Sequence, residues 1–377
     1  MNWVGLQMLR NDKAKFLAMI LAVAMAVFLM QNQAAILASI LTMTASQIRD
    51  VQDADIWVTE PDIECFDQVK PMRDIALHKV RGLDGVDWAA PMLKVDALAR
   101  PHNGKLNTVT ILGVDDSTLV GLPCKMRLGN AADIRQIDCA LIDPGGYALF
   151  FPGQALELGK TIRIHDRRLR IVGISEASPP FSGLPVLHTT RSLATALNRG
   201  EERMTSFILA KSSCRTNPSE VCERIATATG LRARTTDQFS HDSMVFYGNQ
   251  GIPTLFIVTI AIGLVVGASI TGQTFLMFVK ENSRHLAMLK VVGTTGRQLG
   301  AMIAAQAGLV LVIGSCIGTG IAALICEVVR KQPFLRGLFL PWEIALITVA
   351  TLCLVTGGAV FISFRHVQRL EPATVFR

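Results

Sequence analysis

Charged residues are missing from four long stretches of the chain, lying between Lys15 and Arg49, Asp242 and Lys280, Arg297 and Glu327, and Glu343 and Arg365. Each run holds the roughly 20 residues that a helix needs to cross hydrocarbon. The pattern predicts four spans, at 16–43, 251–279, 299–326 and 342–364. The first run also has the basic lead and small-residue tail of a secretory signal, but it far exceeds the roughly 7–15 residues of a signal core and reads as a span.

Between the first two spans the pattern changes. "SQIRDVQ" reads as a helical stalk, and "ADIWVTEPD" as a strand stopped by Pro61. "QVKPMRDIALHKVRGLDGV" predicts a helix from Pro71 to Gly82, "HTTRSLATALNRG" a second and "SEVCERIATATG" a third, closed by Gly230. "NTVTILGVD" alternates like a strand. "KTIRIHDRRLRIVGIS" alternates like a hairpin turning at His165 to Arg168, with Ile162 and Ile164 facing Leu169 and Ile171. The expected architecture is a membrane protein with four transmembrane helices, one plus three, and a large α+β extracytoplasmic domain at 44–250 between the first and second.

Composition agrees, since half of the 377 residues are hydrophobic and 18% are charged. Charge then orients the spans. The leading segment 1–15, the connector 280–298 and the tail 365–377 carry ten basic residues against three acidic ones, which accounts for the net charge of +7. The segment 44–250 is nearly neutral and the loop 327–341 is short. The positive-inside rule places both termini and the connector in the cytoplasm, with the large domain outside. Topology thus absorbs the whole basic excess, and no nucleic-acid partner is required. Five cysteines, Cys65, Cys124, Cys139, Cys214 and Cys222, fall in the external segment. A Cys214–Cys222 disulfide and free thiols both fit.

Catalytic patterns fail on spacing. In "GQALELGKT" five residues separate Gly153 from Gly159 where a phosphate cradle needs four, so this reads as a turn before a strand at Thr161. "GASIT" at Gly267 lacks the closing glycine of a nucleophile elbow. The seven histidines show no metal spacing. The chain is therefore expected to bind no cofactor or metal and to be no enzyme. Gly263 and Gly267, and Gly314 and Gly318, have the spacing that brings helix backbones together, within the subunit or at a homodimer seam. Gln31, Asn32, Gln33, Gln273 and Gln306 are either glue between helices or the lining of a route. No charge lies mid-span, which argues against ion coupling.

The connector "ENSRHLAMLKVVGTTGRQLG" prolongs the second span to Val292 with Leu286, Leu289 and Val292 on one face, and it stops at Gly293. Thr295 and Gln298 fit a capping box that opens the third span. This predicts an ordered elbow, either a docking knob or a basic turn resting on membrane lipid. The same residues, Glu281, Arg284, Leu289, Lys290, Gly293, Thr294, Arg297, Gln298 and Leu299, resemble the coupling signature of the FtsX/MacB-type ABC permease superfamily. His285 and Leu286 stand where many members carry Glu-Ile. "LQMLRNDKAKFLAMILAVAMAV" is similar to that family's amphipathic lead-in helix and first span, "LGKTIRIHDRRLRIVGI" to its external hairpin, and "RLEPATVFR" to its tail. "DADIWV" leans to the DevC-like branch.

The resemblance implies a permease of the bacterial inner membrane that works as a dimer. It implies a separate cytoplasmic ABC ATPase holding ATP and Mg, and a periplasmic adaptor. Glu281, Arg284, Leu286, Leu289, Lys290, Gly293, Thr294 and Arg297 would couple to that ATPase. A regulatory transmitter acting on a cell-wall hydrolase or sensing an external ligand, and a membrane-tethered enzyme, are the other readings.

Overall fold

The computed structural model describes residues 7, 13–101, 104, 106–198, 204–214, 216–281, 285, 288, 291, 293–330, 332 and 337–368. The chain divides into two compact units. One comprises Met1–Ser39, Pro253–Val329 and Leu338–Arg377, the other Ile40–Ile252 with Arg330–Gly337.

The first unit is helical. Helix α1 runs Lys13–Thr44, α8 Ile252–Glu281, α9 Gly296–Val329 and α10 Trp342–Gln368. Lys13–Thr44, Pro253–Ile270 and Gly296–Val329 are long and apolar enough to cross a membrane, and Trp342–Gly358 adds a shorter apolar stretch of α10. Their shared core holds Met19, Ile20, Val23, Ala26 and Val27 of α1, Met302, Ile303 and Val310 of α9, and Leu352 of α10. Helix α8 lends little to it and leaves Leu255, Val258, Ile262 and Val265 more than half exposed.

The second unit, the head, is an α/β fold. Twelve strands are described: β1 Ile56–Thr59, β2 Met72–Arg73, β3 Val86–Arg100, β4 Asn107–Val114, β5 Met126–Gly129, β6 Cys139–Ile142, β7 Thr161–Ile164, β8 Arg167–Ser175, β9 Val186–Thr190, β10 Met204–Thr205, β11 Phe207–Ser212 and β12 Arg232–Thr235. The helices are α2 Ser46–Asp50, α3 Ile75–Arg81, α4 Pro144–Phe150, α5 Arg191–Leu197, α6 Pro218–Thr229 and α7 Thr236–Asn249. The main sheet runs β12-β1-β11-β3-β4-β9-β6-β8-β5, and β7 bridges β3 and β8. β4–β9 and β6–β8 pair parallel, while β3 pairs antiparallel with β11, β4 and β7. The 15-residue β3 therefore serves two lobes, joining β11 through its first half and β4 and β7 through its second.

Each lobe has its own core. Ile56, Val58, Ile208 and Ala210 pack on α3 and α6 through Leu77, Val80, Val221 and Ile225. The opposite face carries Trp57 with Phe66, Phe207 and Phe239, whose ring centroids lie 5.6–6.0 Å from the indole, a spacing at which aromatic pairs add about 0.5–1.5 kcal/mol beyond burial. A third core gathers Ile111, Ile142, Ile162, Ile164, Leu169, Ile171 and Leu187 under α4 and α5.

Local chemistry sets the boundaries. Asn217 caps α6 before Pro218, and Gly230 ends it in the left-handed region at φ 73°. Thr235 and Gln238 form a full capping box on α7.

Three expectations shift. The helix expected from Pro71 begins at Ile75, because Met72–Arg73 pair with Met204–Thr205 and Asp74 binds Arg191 and Thr205. In "HTTRSLATALNRG" the first three residues belong to β9, drawn into parallel pairing with β4, and the helix starts at Arg191. The hairpin turn is tighter than expected, two residues at His165–Asp166, with Ile162 opposite Leu169 and Ile164 opposite Arg167.

Candidate functional site

Among the described residues, no catalytic constellation assembles. "GQALELGKT" leads into β7, not into a helix. Lys160 binds Gln154 and Glu157, so no phosphate cradle forms there. Among the described residues, no three His, Cys, Asp or Glu side chains converge on a metal position. The eight cysteines are free thiols, and burial pushes Cys222 up to about 12, far from a reactive thiolate. What the structure offers is a helix seam, a turn between two spans, and a clasp within the head.

The seam explains the paired glycines. A Cβ on Gly267 would lie 2.6 Å from Ala26 Cβ, and one on Gly263 3.7 Å from Met30. On α9, a Cβ on Gly314 would meet Val23 at 2.7 Å, and one on Gly318 would meet the Ala24 carbonyl oxygen at 2.5 Å. All four glycines face α1, which lies against both α8 and α9. Small residues let the backbones close, and dispersion takes the place of a hydrophobic drive that lipid cannot supply. Polar glue joins them. Gln31, fully buried, donates to Thr319 Oγ1 at 3.0 Å and to the Ala345 carbonyl at 3.5 Å. Ser39 bonds both the N–H and the carbonyl of Phe339. Gln306 is buried and Gln273 exposed.

The turn is described in part. Glu281 closes α8. Arg284, Leu286, Leu289 and Lys290 lie outside the described residues, as does the tail "RLEPATVFR". Gly293 sits at φ 104° in open space, a conformation that disfavours any side chain. Gln298 accepts from the Thr295 N–H at 3.0 Å, so the backward arm of the capping box closes at the start of α9. Arg297 is exposed, Thr294 half-buried and Leu299 buried.

The clasp was not foreseen. α2 follows α1 directly, and its Ser46, Gln47 and Asp50 side chains all reach the loop after β8. Ser46 donates to the Pro179 carbonyl at 2.8 Å and Gln47 to the Ser178 carbonyl at 2.5 Å. Asp50 accepts from the Ser178 N–H at 2.6 Å and its hydroxyl at 2.7 Å. Burial raises the Asp50 carboxyl above its ordinary value, and the two Ser178 bonds partly oppose that rise. The same loop packs Phe181 against Tyr247, 4.3 Å between centroids with the rings tilted by 45°, near the end of α7 and just before α8.

Tyr247 donates to Asp67 at 2.7 Å, and Asp67 pairs at 2.6 Å with the buried Lys94 of β3. Burial, then the Asp67 bond, lifts the Tyr247 phenol well above its usual range. Gly337, from the loop after α9, fits between Met43 and Pro179, leaving no room for a side chain. Three separate segments of the head, at 43–50, at Tyr247 and at Gly337, thus meet at residues 178–181. Its one legible trace was the pair Pro179-Pro180 followed by Ser182-Gly183.

Comparison with known proteins agrees with this layout. Residues 16–228 match the MacB-like periplasmic core domain, and residues 257–372 match the FtsX-like permease C-terminal family. An "uncharacterized ABC transporter permease" of Mycobacterium tuberculosis is 23% identical over 310 residues, covering 81% of this chain and 79% of the relative. MacB of Escherichia coli, a macrolide export ATP-binding/permease protein, is 25% identical over 247 residues, covering 62% of this chain but 37% of MacB. Among solved structures, the periplasmic region of MacB from Actinobacillus actinomycetemcomitans aligns with 52% of this chain and 94% of its own, at 14% identity and a TM-score of 0.39. With one apolar helix before a MacB-like core domain and an FtsX-like three-helix segment after it, the chain belongs to the MacB/FtsX-like family of ABC transporter permeases.

Proposed function

We propose that this chain is the permease subunit of an ATP-driven exporter that works by mechanotransmission. A separate cytoplasmic ATPase, which holds the ATP and Mg, binds the turn at 280–298 on the inner face of a bacterial inner membrane, where both termini also lie. A second copy of the chain and a periplasmic adaptor complete the assembly. The observation that carries the reading is the clasp at Ser178–Phe181, which receives the end of the first span, the approach to the second and the loop after the third. A displacement of any of the three segments would reach this loop. Dense packing of α1 against Gly267, Gly314 and Gly318 fits spans that move as bodies instead of opening a polar path. The regulatory alternative uses the same parts with an external hydrolase or ligand as the output, and it rests on resemblance alone.

The test is association. Leu289→Asp, on the expected docking face, is predicted to abolish co-purification of the ATPase with the full chain while membrane insertion is unchanged. If the ATPase binds this variant and Gly293→Pro as tightly as wild type, the turn is not the coupling site.

A further inference from the structure

The β7–β8 hairpin carries an arrangement that an isolated sheet does not favour. Arg100 of β3 pairs with Arg163 of β7, and Arg163 pairs with Arg168 of β8. Three guanidinium groups therefore stand abreast on adjacent strands of one exposed face, where like charges directly opposite are destabilising. Arg170, opposite Thr161, extends the row by one step.

Internal compensation is thin. Arg163 reaches Asp166 at 3.7 Å, an aspartate 88% exposed, and donates to the His165 carbonyl. Arg167, at the end of the hairpin, takes Asp138 at 3.4 Å. Arg170 binds Gln136 and the Cys139 sulfur. Asp96, farther along β3, accepts from Thr110. Arg100 and Arg168 have no acidic partner among the described residues.

The surroundings say what would cover the row. Leu98, one alternation from Arg100 on the same face, is 52% exposed, and Ile137, held between the Gln136 and Asp138 contacts, is 91% exposed. Arginines mixed with exposed apolar side chains are the composition of a protein interface. The guanidinium fork pairs bidentately with carboxylates. The hairpin's inner face belongs to the core under α4 and α5, which shares no residue with the core that receives α2 and α7. Arg168 stands at the start of β8 and the clasp loop follows its far end, so the row lies roughly 25 Å from the clasp at about 3.3 Å per strand residue, which favours a protein partner over a lipid surface.

We propose that Arg100, Arg163 and Arg168 form a docking ladder for an acidic, partly apolar segment of an extracytoplasmic partner protein. The inference rests on the transport reading and gives its external partner a surface and a chemistry.

A photoreactive residue at Thr161 of the full chain, in living cells, is expected to give an adduct whose partner peptide, mapped by mass spectrometry, is rich in Asp and Glu. Arg163→Glu/Arg168→Glu should reduce that adduct at least tenfold, Arg163→Gln/Arg168→Gln several-fold, and Arg224→Glu on α6 not at all. In nanodiscs of neutral lipid, a labelled decaglutamate peptide should bind the wild type and lose at least tenfold in affinity on the double reversal. An adduct indifferent to reversal, one confined to lipid or to a second copy, or equal peptide binding by the reversed protein would overturn the proposal. ATPase co-purification read in the same cells separates this outcome from failure of the transport reading.

Discussion

At the scale of single residues, a buried and a half-buried ionisable group in the head give opposite pH signatures. His188 of β9, between Leu112 and Leu141, is 2% exposed, and burial lowers it to about 4. The unfolded chain holds that proton below a pH of about 6.5, so stability falls as pH drops from there toward 4, by on the order of 3 kcal/mol. His188→Leu is expected to flatten that slope in thermal unfolding of the full chain in nanodiscs. An unchanged slope would place the titration elsewhere. Asp50 acts in the other sense. Its raised value means that its contribution is fully present below a pH of about 3.9 and is lost as pH rises through the folded value. Asp50→Asn removes this titration and retains an acceptor for Ser178. Asp50→Ala strands the Ser178 N–H and should cost about 1–3 kcal/mol.

At the scale of elements, the glycine seam sorts substitutions by what each Cβ would meet. Gly318→Ala drives a methyl into the Ala24 carbonyl and Val27, and Gly267→Ala into Ala26. Each is expected to destabilise by about 1–3 kcal/mol, as overpacking does, read as a lower melting temperature in nanodiscs. Gly320→Ala and Gly308→Ala, whose Cβ positions are open, are the controls and should leave it within error. If all four behave alike, the helices do not close at these residues. Element ends were legible where a local rule decides them. Gly230, Gly82 and the Thr295–Gln298 cap each followed from residues within one turn of the boundary. They were not legible where a distant strand decides. Met72–Arg73 and His188–Thr190 scan as helix and pair as sheet, since their partners lie far along the chain.

At the scale of the whole molecule, the turn and the clasp should fail differently. Spin labels at Glu223 in the head and Gln298 beside the turn are expected to change separation when ATP is added to the reconstituted complex. Leu289→Asp should lose both the ATPase and the change. Asp50→Ala should keep the ATPase and its turnover but lose the change. A D50A complex that moves like wild type would remove the clasp from the route.

The sequence by itself determined the four apolar helices, the nearly neutral domain between the first two and the family, because span length, charge asymmetry and glycine spacing are properties of contiguous residues. It left open whether Gly263, Gly267, Gly314 and Gly318 face their own chain. Only the tertiary structure sets their Cβ positions against α1, since small-residue spacing reads the same for either partner. It alone made the clasp from Asp50, Ser178, Phe181 and Tyr247, and set Arg100 beside Arg163 and Arg168. Contacts between segments far apart in the chain, and register across three strands, depend on tertiary packing that no local pattern encodes.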